Sequence, residues 1–199
     1  MELTLDMFPV LGEPLAVELA NTLYERPEST IDFLARSDWI IAWLGLAAKS
    51  SPPIPKRIDA SNGASIRLLR DAVRSLLTTA TRPLERPDPT CIETLNRFTD
   101  SAEYCYRLDW PADRAPTALM TPTGRGFDAV LTYLGIESIS FLASPARNRV
   151  RRCDGPDCPM LFVQLHHKRR FCHDGCAHRA RQARYYQNHS RRPNTGVRP

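Results

Sequence analysis

Residues 153–176 read CDGPDCPMLFVQLHHKRRFCHDGC, and this stretch decides how the C-terminal part of the chain folds. Cys153, Cys158, Cys172 and Cys176 follow a C-x4-C pattern, thirteen intervening residues and a C-x3-C pattern. Two close pairs joined by a short span suit one tetrahedral ion, because each pair can occupy one edge of the tetrahedron while the span brings the edges together. Thiolates select zinc or an iron–sulfur cluster, and four of them leave no open coordination position, so the expected role is structural. The short x4 and x3 loops fit one Zn²⁺ better than a cluster. A pair of disulfides is disfavoured by the cytoplasmic reading given below.

The residues between the ligands support a metal-built fold. Asp154-Gly155-Pro156-Asp157 is turn chemistry, residues 160–165 have strand character, 167–170 are polar enough for a turn, and Asp174-Gly175 precedes a helix opening at Cys176. Knuckle, hairpin and helix in this order predict a treble-clef-like zinc finger, with metal binding supplying folding free energy that so small a segment lacks. Cys91 and Cys105 stand far away on apolar stretches and read as small buried hydrophobes. His173 and His178 flank the ligands, but the shell is already complete. His167 with His178 imitates the histidine pair of some hairpin-and-helix nucleases, yet no acidic residue follows in the helix to hold a catalytic metal. The chain is therefore not read as an enzyme.

Beyond the last ligand, a helical projection puts Cys176, Ala180, Ala183 and Gln187 on one face. Opposite them fall His178, Arg181, Tyr185, Asn188 and His189, flanked by Arg179 and Arg184. Arginine supplies phosphate or guanine contacts, tyrosine can stack on a base, and asparagine or histidine can bond base edges. With Arg169, Arg170, Arg191 and Arg192 added, this is a basic surface with aromatic interleaving. From Arg147 onward there are 13 Arg and Lys against 3 Asp, net +10, whereas residues 1–146 carry 14 against 19 acidic residues, net −5. One Zn²⁺ with four thiolates lowers the C-terminal figure by about 2. The sign difference points to a nucleic-acid-binding module attached to something else. These residues do not decide between DNA and RNA.

The first 146 residues read as mainly α. Pro14 suits a first helical position, with Leu15, Leu19 and Leu23 marking a short helix to about Tyr24. Ser37 can cap a second helix carrying Trp39, Ile40, Trp43 and Leu44, with Gly45 as a stop. Residues 66–80 form the clearest amphipathic segment, Asp88-Pro89 starts another helix, 104–123 suits a small β-hairpin, and a last helix spans about 127–142 before Ser144-Pro145. The reading is thus a helical domain over 1–146, a finger over 147–190 and a disordered tail over 191–199. No uncharged apolar run approaches the ~18 residues of a membrane span, and Glu2 and Asp6 sit where a signal peptide is basic, which predicts a cytoplasmic protein with no membrane partner.

The stretch from Cys153 to about Arg192 resembles the CGNR zinc finger, a bacterial module named for the residues beginning at its last cysteine; here they read Cys176-Ala177-His178-Arg179. Cysteine and arginine match, while Gly and Asn are replaced. Gly12 with Leu15 to Asn21-Thr22, the segment Trp39 to Leu44, Ile66 to Leu77, and Leu95-Asn96 are similar to the helical ABATE domain usually joined to that finger, described as a stress-induced transcription regulator. The resemblance implies transcriptional regulation through DNA, favoured over RNA, by a nucleoid-associated protein. A small-molecule effector or a homodimer contact would then fall to the N-terminal domain. The other readings are a zinc-stabilised protein-interaction module, which steep salt dependence of nucleic-acid binding distinguishes, and behind it a zinc-finger nuclease, which would need a divalent ion beyond zinc and lose cleavage in His167→Ala.

Overall fold

The computed structural model describes residues 8–48, 52–82, 84–100, 104–109, 113, 117–122 and 125–190. Along these the elements are α1 (Leu15–Ala20), β1 (Leu23–Arg26), β2 (Ser29–Asp32), α2 (Ser37–Ala47), α3 (Ala60–Ala80), α4 (Pro89–Arg97), β3 (Tyr104–Asp109), β4 (Thr117–Pro122), α5 (Gly126–Ala143), a 3-10 turn over Pro145–Arg149, β5 (Val150–Arg152), β6 (Leu161–Val163) and α6 (Asp174–Ser190). The strands form three separate antiparallel pairs, β1–β2, β3–β4 and β5–β6. The fold is mainly α, with a four-cysteine finger at its C-terminal end.

Helix α3 is the organising element. Ile66, Leu69, Val73, Leu76 and Leu77 recur at three- and four-residue steps and are all buried. The helix starts at Ala60, ahead of its apolar stripe, because the Asp59 carboxylate accepts from the backbone N–H of Asn62 at 2.7 Å. It packs against α1, α2, α4 and α5. Trp43, Leu19, Leu34 and Leu134 fill the core around it, each such side chain contributing about 1.5–3 kcal/mol by burial. Arg70 on the same helix is only 3% exposed, and its charge is met by Asp32 at 2.7 and 3.2 Å and by Asp71 at 2.6 Å. A buried cation without such partners would be strongly destabilising.

Helix α5 is long and apolar enough to cross a membrane by length and composition alone, but half of it is buried inside this fold, where Val130 and Leu134 face the core. It ends at Ala143, before Ser144-Pro145, as expected. Asp88 caps α4 by accepting from the Thr90 N–H at 2.9 Å, and the hairpin expected within 104–123 is β3–β4.

Three local expectations differ. The first helix stops at Ala20 rather than near Tyr24, and the chain turns into the β1–β2 hairpin, with Phe33 N–H donating to Thr22 O at 2.9 Å beyond it. Ser37 does not cap α2; Arg36 is the cap residue, and the Ser37 hydroxyl donates to Ile58 O at 2.8 Å instead. Gly45 does not stop α2, which runs on to Ala47, since the buried Trp43 and Leu44 outweigh the modest helix penalty of one glycine. The segment 191–199 lies outside the described residues.

Strand β6 joins the two parts of the molecule. Its alternate residues face opposite ways: Leu161 and Val163 enter the helical core together with Val150 of β5, while Phe162 and its neighbour Met160 pack with the cysteines. The finger thus obtains from the helical part the apolar contacts that its own sequence lacks.

Candidate metal centre and the helix it carries

The first ligand pair sits in the loop that joins β5 to β6. The sequence placed the finger's hairpin between the ligand pairs; instead β6 pairs back with β5, in register Val150↔Val163 and Arg152↔Leu161, and the chain from Gln164 to Phe171 crosses to the second pair without a partner strand. Within the knuckle, Cys158 N–H donates to Gly155 O at 3.1 Å and Asp157 takes a left-handed φ of 53°. Gly155 is tightly placed: a Cβ there would stand 3.0 Å from the Cys176 Cβ and 3.3 Å from its sulfur, so a larger residue requires its neighbours to give way. Cys176 enters from the first turn of α6, where its N–H donates to His173 O at 3.1 Å.

The four Sγ atoms lie within 4.8 Å of one another. Cys158 and Cys172 are 3.8 Å apart, Cys172 and Cys176 3.5 Å, and Cys176 and Cys158 3.6 Å. A tetrahedral ion with zinc–sulfur bonds of about 2.3 Å demands edges of about 3.8 Å, so the donor set matches in kind and in size. The crowding also splits the thiols. Hydrogen bonds from Cys158 and Cys172 hold Cys153 far below the ordinary thiol range, whereas the bond to Cys153 pushes Cys158 up to about 12 and Cys172 higher. Four thiolates in this space need a cation. Cys153, Cys158, Cys172 and Cys176 hold one structural zinc ion, which when bound ties the knuckle to α6.

Backbone and side-chain donors surround the sulfurs. Cys153 Sγ accepts from the N–H groups of Gly155 and Cys172 at 3.4 and 3.3 Å, and Cys176 Sγ accepts from Arg179 Nη2 at 3.1 Å. His173 is a neighbour of the shell, its Nε2 3.5 Å from Cys176 Sγ and its Nδ1 accepting from Gly175 N–H at 3.0 Å. His178 is exposed on α6, and the His166 and His167 rings lie tilted to one another at 4.5 Å on the exposed loop after β6. Among the described residues the four cysteines are the one group of three or more His, Cys, Asp or Glu side chains that could hold a metal ion.

The residues read as a nucleic-acid surface divide into two sets. Arg169 is turned inward: it donates to Glu13 Oε1 at 2.7 Å, to Cys172 O at 2.8 Å, and to Phe171 O and Val163 O at 3.2 Å, with its guanidinium 4.7 Å above the Phe162 ring. Arg179 is half-buried against the Cys176 sulfur. Arg170 is exposed and paired with Asp154 at 2.7 Å. Arg181 and Arg184 are exposed on α6, as are Tyr185 and Tyr186, at 58% and 67%. Tyr185 stacks on His189 at 3.9 Å and meets Tyr186 edge-on at 5.9 Å. Asn188 is on the same helix, with its side chain outside the described part, and Arg191 and Arg192 lie outside the described residues. The packed face of α6 ends early. Ala180 is buried and Ala183 partly so, but Gln187, expected on that face, is exposed, so the last turns of α6 stand clear of the body.

The sequence missed the residues of the helical part that hold the finger. Glu13 accepts from Val163 N–H at 2.9 Å as well as from Arg169, and Asn21 bonds both backbone groups of Leu161. Their partners are 140 or more residues away. The signal available was only their place next to a short apolar helix.

Residues 13–145 match the ABATE family, described as "Putative stress-induced transcription regulator", and residues 149–189 match the CGNR zinc finger. Neither description is that of an enzyme. A search of curated proteins gives no match. With two-thirds of its length under the first model and a four-cysteine centre under the second, the chain belongs to the ABATE family and ends in a CGNR zinc finger.

Proposed function

We propose that this chain is a DNA-binding transcription regulator of the cytoplasm, and that the outer face of α6 is the part that meets the nucleic acid. The observation that carries this reading is the exposed end of α6, where Arg181, Arg184, Tyr185, Tyr186 and His189 all face solvent beyond the zinc-held turn. Charge supports it: the net +10 after residue 146 sits against a net −5 before it. Arginines on a rigid helix supply phosphate contacts, and stacked aromatic side chains supply a face for bases. Arg169 and Arg179 act from inside, holding the helix in place. Zinc fixes the base of α6 and takes no part in contact.

The test is fluorescence-anisotropy titration of the full, zinc-loaded chain against duplex DNA and single strands over a series of salt concentrations. Each phosphate neutralised adds about −0.9 to the slope of log K against log salt, so three to five contacts give about −3 to −5. Arg181→Ala and Arg184→Ala each reduce the magnitude of that slope by about 1, while Tyr185→Ala weakens binding at unchanged slope. Absence of binding at low salt, or a flat salt response, removes this reading in favour of a protein-interaction module.

A further inference from the structure

The C-terminal ends of α3 and α5 and the outer face of α4 line an open cleft of ≈ 590 Å³. Sites for small molecules run from about 300 to 1,000 Å³. Leu76, Leu95, Ile139 and Leu142 give it apolar walls, and Ile92 stands at its mouth, 40% exposed. Three charged side chains line it. Arg82 and Glu85 neutralise each other at 2.8 Å. Arg147 donates to the last carbonyls of α5, Leu142 O at 3.1 Å and Ala143 O at 3.3 Å, and has no carboxylate partner among the described residues. The lining therefore keeps one uncompensated guanidinium beside an apolar floor.

We propose that this cleft binds a small apolar monocarboxylate, its hydrocarbon or aromatic body against Leu76, Leu95 and Ile139 and its carboxylate on Arg147. Arginine is suited to this because its remaining planar N–H donors can meet both carboxylate oxygens. The carbonyls at the end of α5 do not repel such a ligand strongly, since Arg147 already covers two of them. The position gives the site a use. Arg147 stands in the 3-10 turn that leads directly into β5, six residues before Cys153, so an occupant touches the segment joining the helical part to the finger. The proposal is independent of nucleic-acid binding.

The test is isothermal titration calorimetry of the full, zinc-loaded chain with octanoate and 1-naphthoate, each paired with its neutral amide. The acids bind at sub-millimolar concentration and each amide at least tenfold more weakly. Arg147→Gln removes that preference for the acid, and Ile92→Glu, which sets a carboxylate in the mouth, abolishes binding of the acids. Zinc content and thermal midpoint establish that each variant is folded; if Ile92→Glu is not, Thr79→Glu blocks the opposite wall. No binding of either acid, equal binding of acid and amide, or undiminished binding in the folded mouth variant overturns the proposal.

Discussion

Asn21 and Leu161 close a two-bond ring across 140 residues of chain: the Asn21 side-chain amide donates to Leu161 O at 2.9 Å, and its carbonyl oxygen accepts from Leu161 N–H at 2.9 Å. Both residues are buried. A primary amide side chain thus replaces the missing strand along one edge of β6, with a donor and an acceptor in the right order for a backbone partner. The finger is docked by this pair and by Glu13, so its fold depends on the helical part as well as on zinc.

Asn21→Ala should therefore cost more than an average substitution. It leaves the N–H and C=O of Leu161 buried and unsatisfied, a penalty of about 1–3 kcal/mol for each group. For a chain of this size each kcal/mol lowers the midpoint by about 2–4 °C. Thermal denaturation of the zinc-loaded variant should show a fall of at least several degrees, and chelator should strip its zinc faster than from the parent chain. A midpoint unchanged within error would mean that water replaces the amide at this edge.

Arg169 separates a structural arginine from a nucleic-acid contact. Its guanidinium reaches Glu13, three backbone carbonyls and the Phe162 ring at once, which the single ammonium of lysine cannot do. Arg169→Lys should destabilise the chain by about 2–3 kcal/mol in denaturant unfolding while leaving the affinity and salt slope of the proposed DNA binding as they are, because the guanidinium is turned inward. Weaker DNA binding at unaltered stability would put this residue on the nucleic-acid surface instead.

Glu18 gives the helical part a pH dependence. Its carboxylate accepts from the N–H groups of Leu11 at 2.8 Å and Glu13 at 2.7 Å through one oxygen, while the other oxygen is buried with no partner among the described residues. Burial pushes its pKa up from 4.5 to about 7, against the lowering effect of those backbone donors. A carboxyl whose folded pKa is raised stabilises the fold fully below its unfolded pKa and loses that contribution as pH climbs through the folded value. Glu18→Gln, which cannot titrate, isolates the effect. The stability of the parent relative to the variant should decline by about 2–3 kcal/mol between about pH 5 and about pH 8. Urea unfolding of both proteins across this range measures it, and parallel pH profiles would contradict the assignment.

Legibility in the sequence followed the range of the interaction. The ligands were readable because coordination needs four sulfurs in two close pairs, and the spacing of Cys153, Cys158, Cys172 and Cys176 is itself the geometry. Helix α3 was readable from its apolar period, and α4 from Asp88-Pro89, since both signals lie within a few residues. The β1–β2 hairpin was not, because Leu23–Arg26 and Ser29–Asp32 are short and only partly buried, and the apolar spacing of Leu15, Leu19 and Leu23 looks helical throughout. The Pro27-Glu28 turn and the β-branched Thr30 and Ile31 were the available clues. Arg169 looked like surface charge because its acceptor Glu13 is 156 residues away. Arg179 could have been caught: it stands three residues after Cys176 on the same helix, the spacing at which side chains meet.

Gly155 tests the metal centre without removing a ligand. An added Cβ would meet the Cys176 Cβ at 3.0 Å and the Cys176 and Cys153 sulfurs at 3.3 and 3.4 Å. These are short stems and ligand atoms, which cannot swing aside without moving the knuckle or α6. Overpacking of this kind costs about 1–3 kcal/mol, so Gly155→Ala should weaken zinc binding by about tenfold or more in competition with a chromogenic chelator, at an unchanged ratio of one zinc per chain. Trp43 provides the control, since it is fully buried in the helical core and outside the cysteine cluster. Its emission should be the same in both proteins with zinc bound, and the loss should appear in zinc affinity and in the mobility of α6 read by hydrogen exchange. Affinity equal to that of the parent chain would show that the knuckle relaxes freely, and that the close approach of Gly155 to Cys176 does not hold the ligands in place.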